Sequence, residues 1–291
     1  MPATDLERRF RVPVKGFRLA ECDPGDTAGL DKDKGRKRRE RDLARLAELQ
    51  ERLYAEGRRS LLIVLKAMDA AGKDGTISHV VGGFNPQGVV VTPFKAPTST
   101  EAAHDFLWRA QMALPPRGHI GVFNRSHYEE VLVVRVHPDF LAAQGISPRA
   151  AEGSGFWKGR YDGIVAWERH LARNGTRVVK FFLHVSKAEQ RRRFLARAEE
   201  ESKNWKFSAG DVAERGHWEA YQEAYEKALR ATSTDDAPWY VIPDDHKWFL
   251  RTAVTSIVAE HLEAMDPRFP EPSQQELAEM EAAVAELRAE G

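Results

Sequence analysis

Several residue types that would narrow the function from outside are scarce or missing. The 291-residue chain holds one cysteine, Cys22, which falls in a predicted N-terminal loop. A single thiol excludes an internal disulfide and suits a reducing compartment such as the cytoplasm. No apolar run approaches the ~18 residues that a membrane-spanning helix needs. The opening Met-Pro-Ala-Thr-Asp-Leu-Glu is too polar for a signal peptide. Net charge is absent, because 44 basic residues balance 44 acidic ones. A polyanion site must then come from local clustering rather than a global field. His104, His119 and His127 lack the spacing of metal ligands and read as ordinary residues. There is no internal repeat.

What is present is a 42% hydrophobic fraction, enough for a sizeable core, arranged as alternating strand and helix signals. Residues 1–35 are mixed and turn-rich and read as an arm lying on the domain. The stretch 36–45 is strongly basic, and Leu43, Leu46, Leu49 and Leu53 then recur at helical spacing. Residues 61–65, Leu-Leu-Ile-Val-Leu, form a short continuous apolar run, as in a strand buried on both faces of a parallel sheet. A helix is predicted from about 72 to 81. Further strands are predicted at 89–92, 119–123, 178–185 and 239–242. Thr98 with Glu101 and Ser186 with Glu189 have the spacing of capping boxes. The first predicts a helix to about 113, the second a helix carrying Arg191, Arg192, Arg193 and Arg197. Helices are also predicted at 128–136, 157–173, 218–229 and 246–265. The phosphotransferase domain is placed at 36–266, with a lid helix at about 187–210, and an acidic, Ala-rich tail at 267–291. This alternation predicts a three-layer α/β fold, a doubly wound parallel sheet of about five strands. Ligands of such sheets lie beyond the carboxyl ends of the strands.

Residues 66–76 follow the first strand and read Lys-Ala-Met-Asp-Ala-Ala-Gly-Lys-Asp-Gly-Thr. The usual phosphate-binding loop is Gly, four residues, then Gly-Lys-Ser/Thr. Gly72 and Lys73 are in place, while Ala67 stands at the first glycine and Asp74 at the hydroxyl. Gly72 lets the backbone approach a phosphate closely. The amides of Ala70, Ala71, Gly72, Asp74 and Gly75 would face the anion, which the helix dipole also favours. Lys73 adds a mobile point charge. The missing hydroxyl normally serves Mg²⁺, a duty that Asp69 can take with a carboxylate oxygen. An ordinary strand-to-helix turn is the plain alternative.

Two further motifs fall at strand ends. Asn124-Arg125-Ser126 follows the third strand, where an Asp usually serves the metal. Arg125 can clamp a phosphate with two parallel hydrogen bonds, and Glu129 and Glu130 lie nearby to supply charge. The same residues also read as a helix cap with Arg125 solvated. After the fourth strand, Arg193 and Arg197 share a helix face at i and i+4, and Lys203, Trp205 and Lys206 extend the basic surface. This stretch reads either as a solvated face, with Glu189 pairing Arg193, or as an anion-binding lid. Residues 232–239, Thr-Ser-Thr-Asp-Asp-Ala-Pro-Trp, read as a helix end and strand entry, or as part of the site.

Taken together, the motifs at 69–75, 123–126, 186–194, 204–208 and 232–239 resemble the polyphosphate kinase 2 family, over roughly residues 30 to 265. The resemblance implies a thymidylate-kinase-like P-loop fold with a helical lid. It implies transfer of the terminal phosphoryl group between inorganic polyphosphate and a purine nucleotide, with Mg²⁺ or Mn²⁺ as cofactor. Asp69, Lys73 and Arg125 match the family's catalytic positions, and Arg192 or Arg193 matches the lid. Phosphate contacts are expected from Asn124, Arg192, Arg197 and Lys203, and metal contacts from Asp69 and Glu129. Asn124, with Phe84-Asn85-Pro86 and Tyr128-Glu129, resembles the class III branch, which phosphorylates both AMP and ADP. A homo-oligomer, dimer or tetramer, is implied, with no nucleic-acid or membrane partner. The competing readings are an ATP-dependent nucleoside monophosphate kinase and a non-catalytic polyanion-binding protein.

Overall fold

The computed structural model describes residues 5–290. Five strands form one parallel sheet: β1 (Ser60–Ala67), β2 (Val89–Pro93), β3 (Ile120–Asn124), β4 (Thr176–His184) and β5 (Trp239–Pro243). Their spatial order is β2-β3-β1-β4-β5. Twelve α-helical segments accompany them among the described residues. They are α1 (Asp5–Phe10), α2 (Lys32–Glu56), α3 (Lys73–Val81), α4 (Ser99–Ala102), α5 (Trp108–Met112), α6 (Val133–Val136), α7 (Ser154–Arg173), α8 (Lys187–Glu199), α9 (Ala209–Glu214), α10 (Trp218–Thr232), α11 (Lys247–Ala264) and α12 (Gln274–Ala289).

Strand side chains alternate between the two faces of a sheet, and the two cores divide accordingly. Leu62, Val64, Phe123, Phe182 and Val241 pack with α7 and α10 on one face. Leu61, Ile63, Leu65, Phe181 and Ile242 pack with α2, α3 and α11 on the other. Both faces of β1 are therefore buried, which is why its sequence reads as an unbroken apolar run. Among the described residues no helix is long and apolar enough to cross a membrane.

The N-terminal arm is fastened to the sheet. Leu6, Phe10, Val12, Phe17 and Leu19 are buried. The Val12 amide donates to the Trp239 carbonyl at 2.9 Å, and Arg11 bridges Tyr240 in the antiparallel sense. Helix α2 begins at Lys32, with Asp31 capping the Lys34 amide. Helix α12 opens on a capping box from Ser273 to Glu276 and buries none of its residues.

Three local readings need correction. The helix expected from Thr98 to about residue 113 is two short pieces. Thr98 and Glu101 do form the capping box, but Asp105 Oδ1 accepts the Leu107 amide at 2.9 Å, and this local turn interrupts the helix. The helix expected at 128–136 begins as a 3₁₀ segment, His127–Val131. There Arg160 donates to the Glu130 carbonyl at 2.9 Å, occupying the acceptor that a helical amide at Val134 would use. At Ser186 only half of the capping box exists. The Ser186 hydroxyl accepts the Glu189 amide at 3.1 Å, but the Ser186 amide donates to Asp245, and Glu189 turns to Arg192 and Arg193.

Candidate active site

Because the strands are parallel, their carboxyl ends share one edge of the sheet. In register, Leu65 of β1 lies beside Asn124 of β3, and His184 of β4 beside Pro243 of β5. The segments after β1, β3, β4 and β5 therefore meet, and a cavity of about 490 Å³ opens among them. Of the residues singled out from the sequence, Asp69 through Gly75, Asn124, Arg125, Arg192, Arg193, Arg197 and Lys203 all line it.

The loop between β1 and α3 contains two left-handed residues, Ala70 at φ +61° and Gly72 at φ +69°. A Cβ on Gly72 would meet nothing closer than 3.7 Å, so the fold requires glycine there for its dihedral angle. The first capping contact of α3 is the Thr76 amide to the Gly72 carbonyl at 2.9 Å. The amides of Lys73, Asp74 and Gly75 are thus left without helical partners at the positive end of the helix dipole. Lys73 Nζ donates to the carbonyls of Ala67 and Met68 at 3.2 and 3.4 Å. Burial lowers its pKa, while the neighbouring Asp69 carboxylate works against that.

After β3 the chain turns at Arg125, itself left-handed at φ +63°. Arg125 Nη2 lies 3.3 Å from Asp69 Oδ1, and Asn124 Nδ2 donates to Asp74 Oδ1 at 2.8 Å. The cap reading of Ser126 also holds, since its hydroxyl accepts the Tyr128 amide. The 125 turn is therefore braced on one side and presents its guanidinium, half exposed, on the other.

The basic residues of α8 divide by exposure. Arg192 is exposed and forked onto Glu189 at 2.6 Å. Arg197 is partly exposed and lies 3.6 Å from Asp211, and Lys203 pairs with Glu200. Arg193, one of the two arginines matched to the lid, is 5% exposed, and each of its guanidinium nitrogens donates to a protein acceptor. It binds Glu189, the Ala70 carbonyl and both oxygens of Asp244.

Glu129, expected as a metal contact, is instead paired with Lys66, which is buried at the end of β1. Burial pushes the Lys66 pKa down to about 8, with Glu129 opposing the fall. Glu129 faces a small adjoining cavity of about 50 Å³ that Asp69, Arg125 and Asp211 also line. Residues 232–239 lie at the amino end of β5, away from the cavity, and serve as helix end and strand entry. His104 stacks on Trp108, and His127 is buried against Tyr128 and Trp167.

Five residues important to the site were not singled out from the sequence: Lys66, Asp211, Asp244, Lys247 and Arg251. Asp211, Lys247 and Arg251 line the main cavity. The signal for the last three was available, because Asp244, Lys247 and Arg251 directly follow the fifth strand.

Among the described residues, no group of three His, Cys, Asp or Glu is arranged to hold a metal ion. Asp69, Asp74 and Asp211 nevertheless place carboxylate oxygens around one cavity. That set suits Mg²⁺, which binds through one or two carboxylates together with water and substrate phosphates.

Comparison with known proteins agrees with this geometry. The family model described as polyphosphate kinase 2 matches residues 29–270. An ADP-polyphosphate phosphotransferase of Rhodopseudomonas palustris is 55% identical over 227 residues, 78% of each chain. An AMP/ADP-polyphosphate phosphotransferase of Meiothermus ruber is 46% identical over 91% of this chain and 96% of its own length. The crystal structure of polyphosphate kinase 2 from Arthrobacter aurescens superposes with a TM-score of 0.88 at 42% identity, covering 97% of this chain and 98% of that one.

Proposed function

Since the chain belongs to the polyphosphate kinase 2 family, we propose that it transfers the terminal phosphoryl group of inorganic polyphosphate to ADP and AMP, forming ATP and ADP in a reversible, Mg²⁺-dependent reaction. The observation that carries this reading is the convergence of the Lys73 loop, Arg125 and the Arg192–Arg197 face on one cavity. Three separate anion-binding groups suit two phosphorylated substrates meeting end to end.

The acceptor is a nucleotide phosphate oxygen, already ionised at neutral pH, so no general base is required. The protein's part is then positioning and charge neutralisation. Loop amides and Lys73 hold the donor phosphate. Arg125, anchored by Asp69, faces the transferred group from β3. Arg192, Arg197 and Lys203 close over the chain from α8 and the segment that follows it. Asp69 and Asp74 would hold Mg²⁺, which when bound neutralises charge on the phosphate oxygens. A cytoplasmic homo-oligomer of two or four copies belongs to the same proposal and rests on the family resemblance.

The test is ATP formation from ADP, and ADP formation from AMP, with polyphosphate as donor, with Mg²⁺ or with a chelator. Turnover with polyphosphate and loss of it on chelation are expected. Turnover with ATP alone as donor would favour a nucleoside monophosphate kinase, and salt-sensitive binding without turnover would favour a polyanion-binding protein.

A further inference from the structure

The lid helix grips the phosphate loop at two adjacent carbonyls. Gln190 Nε2 donates to the Asp69 carbonyl at 2.9 Å, and Arg193 Nη1 donates to the Ala70 carbonyl at 3.2 Å. Both side chains are buried. In a trans peptide the C=O and N–H point in opposite directions. Holding these oxygens toward α8 therefore turns the Ala70 and Ala71 amides the other way. The Ala71 amide reaches back to the Met68 carbonyl at 3.3 Å. The Ala70 amide has no partner among the described residues, and Ala70 lines the cavity. Ala70 also has a left-handed backbone, which a Cβ disfavours. Such a conformation persists only where its surroundings over-determine it, and the two α8 side chains are those surroundings.

Each gripping side chain is itself held. Arg193 Nη1 lies 3.1 Å from each oxygen of Asp244, whose carboxylate is fully buried just past β5. Arg193 Nη2 also donates to the Asp244 backbone carbonyl. Gln190 Oε1 accepts from Arg215 at 2.8 Å, and Arg215 follows α9 at the far end of the lid segment. Gln190 thus links the segment after α9 to the loop, and Arg193 links the loop to the end of β5.

We propose that Gln190 and Arg193, the latter fixed by Asp244, are positioning residues for phosphoryl transfer that set the loop's amides and tie them to the lid. Arg193 acts through the loop, and the phosphate contacts fall to the exposed Arg192 and the partly exposed Arg197. This rests on the transfer reaction proposed above.

The experiment compares kcat and the KM for each substrate in Gln190→Ala, Arg193→Lys and Asp244→Asn, assayed well below each variant's Tm. We expect kcat to fall by about 10- to 100-fold, the scale of a small misplacement of reacting groups, with each KM within about threefold of wild type. Arg193→Ala should regain part of its kcat with millimolar guanidinium. Folded variants that keep kcat within twofold would overturn the proposal. So would Arg193→Lys raising the KM for polyphosphate at unchanged kcat, which would place Arg193 on the substrate. Should Asp244→Asn not fold, Gln190→Ala and Arg193→Lys carry the test. Wild-type protein inactive with polyphosphate would instead overturn the function reading.

Discussion

Asn124 Nδ2 donates to Asp74 Oδ1 at 2.8 Å, joining the end of β3 to the first turn of α3. These are two of the positions at which the chain departs from the usual P-loop pattern, Ala67 at the first glycine being a third. A hydroxyl is usual at 74 and an aspartate at 124. A carboxylate thus stands on the helix at 74 and an amide on the strand end at 124, in hydrogen-bond contact.

Asp74→Asn should raise the Mg²⁺ concentration needed for half-maximal activity by at least roughly 10- to 100-fold, the scale on which loss of even an outer partner of a metal acts. Asn124→Asp alone should also impair the enzyme, since two carboxylates at hydrogen-bond distance cannot both ionise freely. Asp74→Ser combined with Asn124→Asp should recover activity relative to Asn124→Asp. A double-mutant cycle on kcat/KM measures this, and strictly additive effects would contradict coupling between the two positions.

Lys73→Ala and Asp69→Ala should each lower turnover by at least ~10²–10³, as for removal of a charge acting on the transition state. Neither side chain belongs to a hydrophobic core cluster, so thermal unfolding should change little. A variant retaining near-normal turnover would remove the loop from the mechanism.

Burial raises the Asp244 carboxyl from its ordinary 3.8 to about 7, although Arg193 pulls it down. Between those values the native state binds more protons than the unfolded state, so its stability falls as pH rises through the window. Its contribution is fully present below about 3.8 and lost above about 7. Asp244→Asn does not titrate. Urea unfolding from pH 4 to 8 should show wild type losing ground to the variant as pH rises. Parallel stability curves would contradict this.

Behind the Arg125 turn, Lys180 and Glu168 form a fully buried ion pair on the α7 side of the sheet. Lys180 also donates to the Tyr128 hydroxyl at 2.9 Å and the Thr232 carbonyl at 2.8 Å. Removing one partner leaves an uncompensated buried charge, at a cost of about 3–5 kcal/mol. Lys180→Met and Glu168→Gln should each destabilise on that scale, and the double variant by well under the sum. Denaturant unfolding measures all three, and additive losses would show that the pair is not coupled.

The sheet was legible because burial on both faces leaves a largely apolar run, unbroken at 61–65 and interrupted at 178–185 only by Lys180 and His184. The loop was legible because anion binding at a helix start constrains residue type locally. Less visible was whatever depends on partners distant in sequence. Glu130 and Asp105 alter helix geometry through hydrogen bonds that spacing alone does not reveal. Glu129 looked available to a metal because Lys66 reads as the start of the phosphate loop, not as its partner. Arg193 differs from Arg192 only by a rotation of about 100° around the helix. That rotation carries it from solvent onto Asp244.

The most direct measurement is the rate of ATP formation from ADP with long-chain polyphosphate and Mg²⁺, and in parallel of ADP formation from AMP. Turnover with both acceptors, abolished by chelation and reduced at least ~10²-fold in Lys73→Ala, is the predicted result. Absence of polyphosphate-dependent turnover in folded wild-type protein, or turnover unaffected by loss of Lys73, would contradict it.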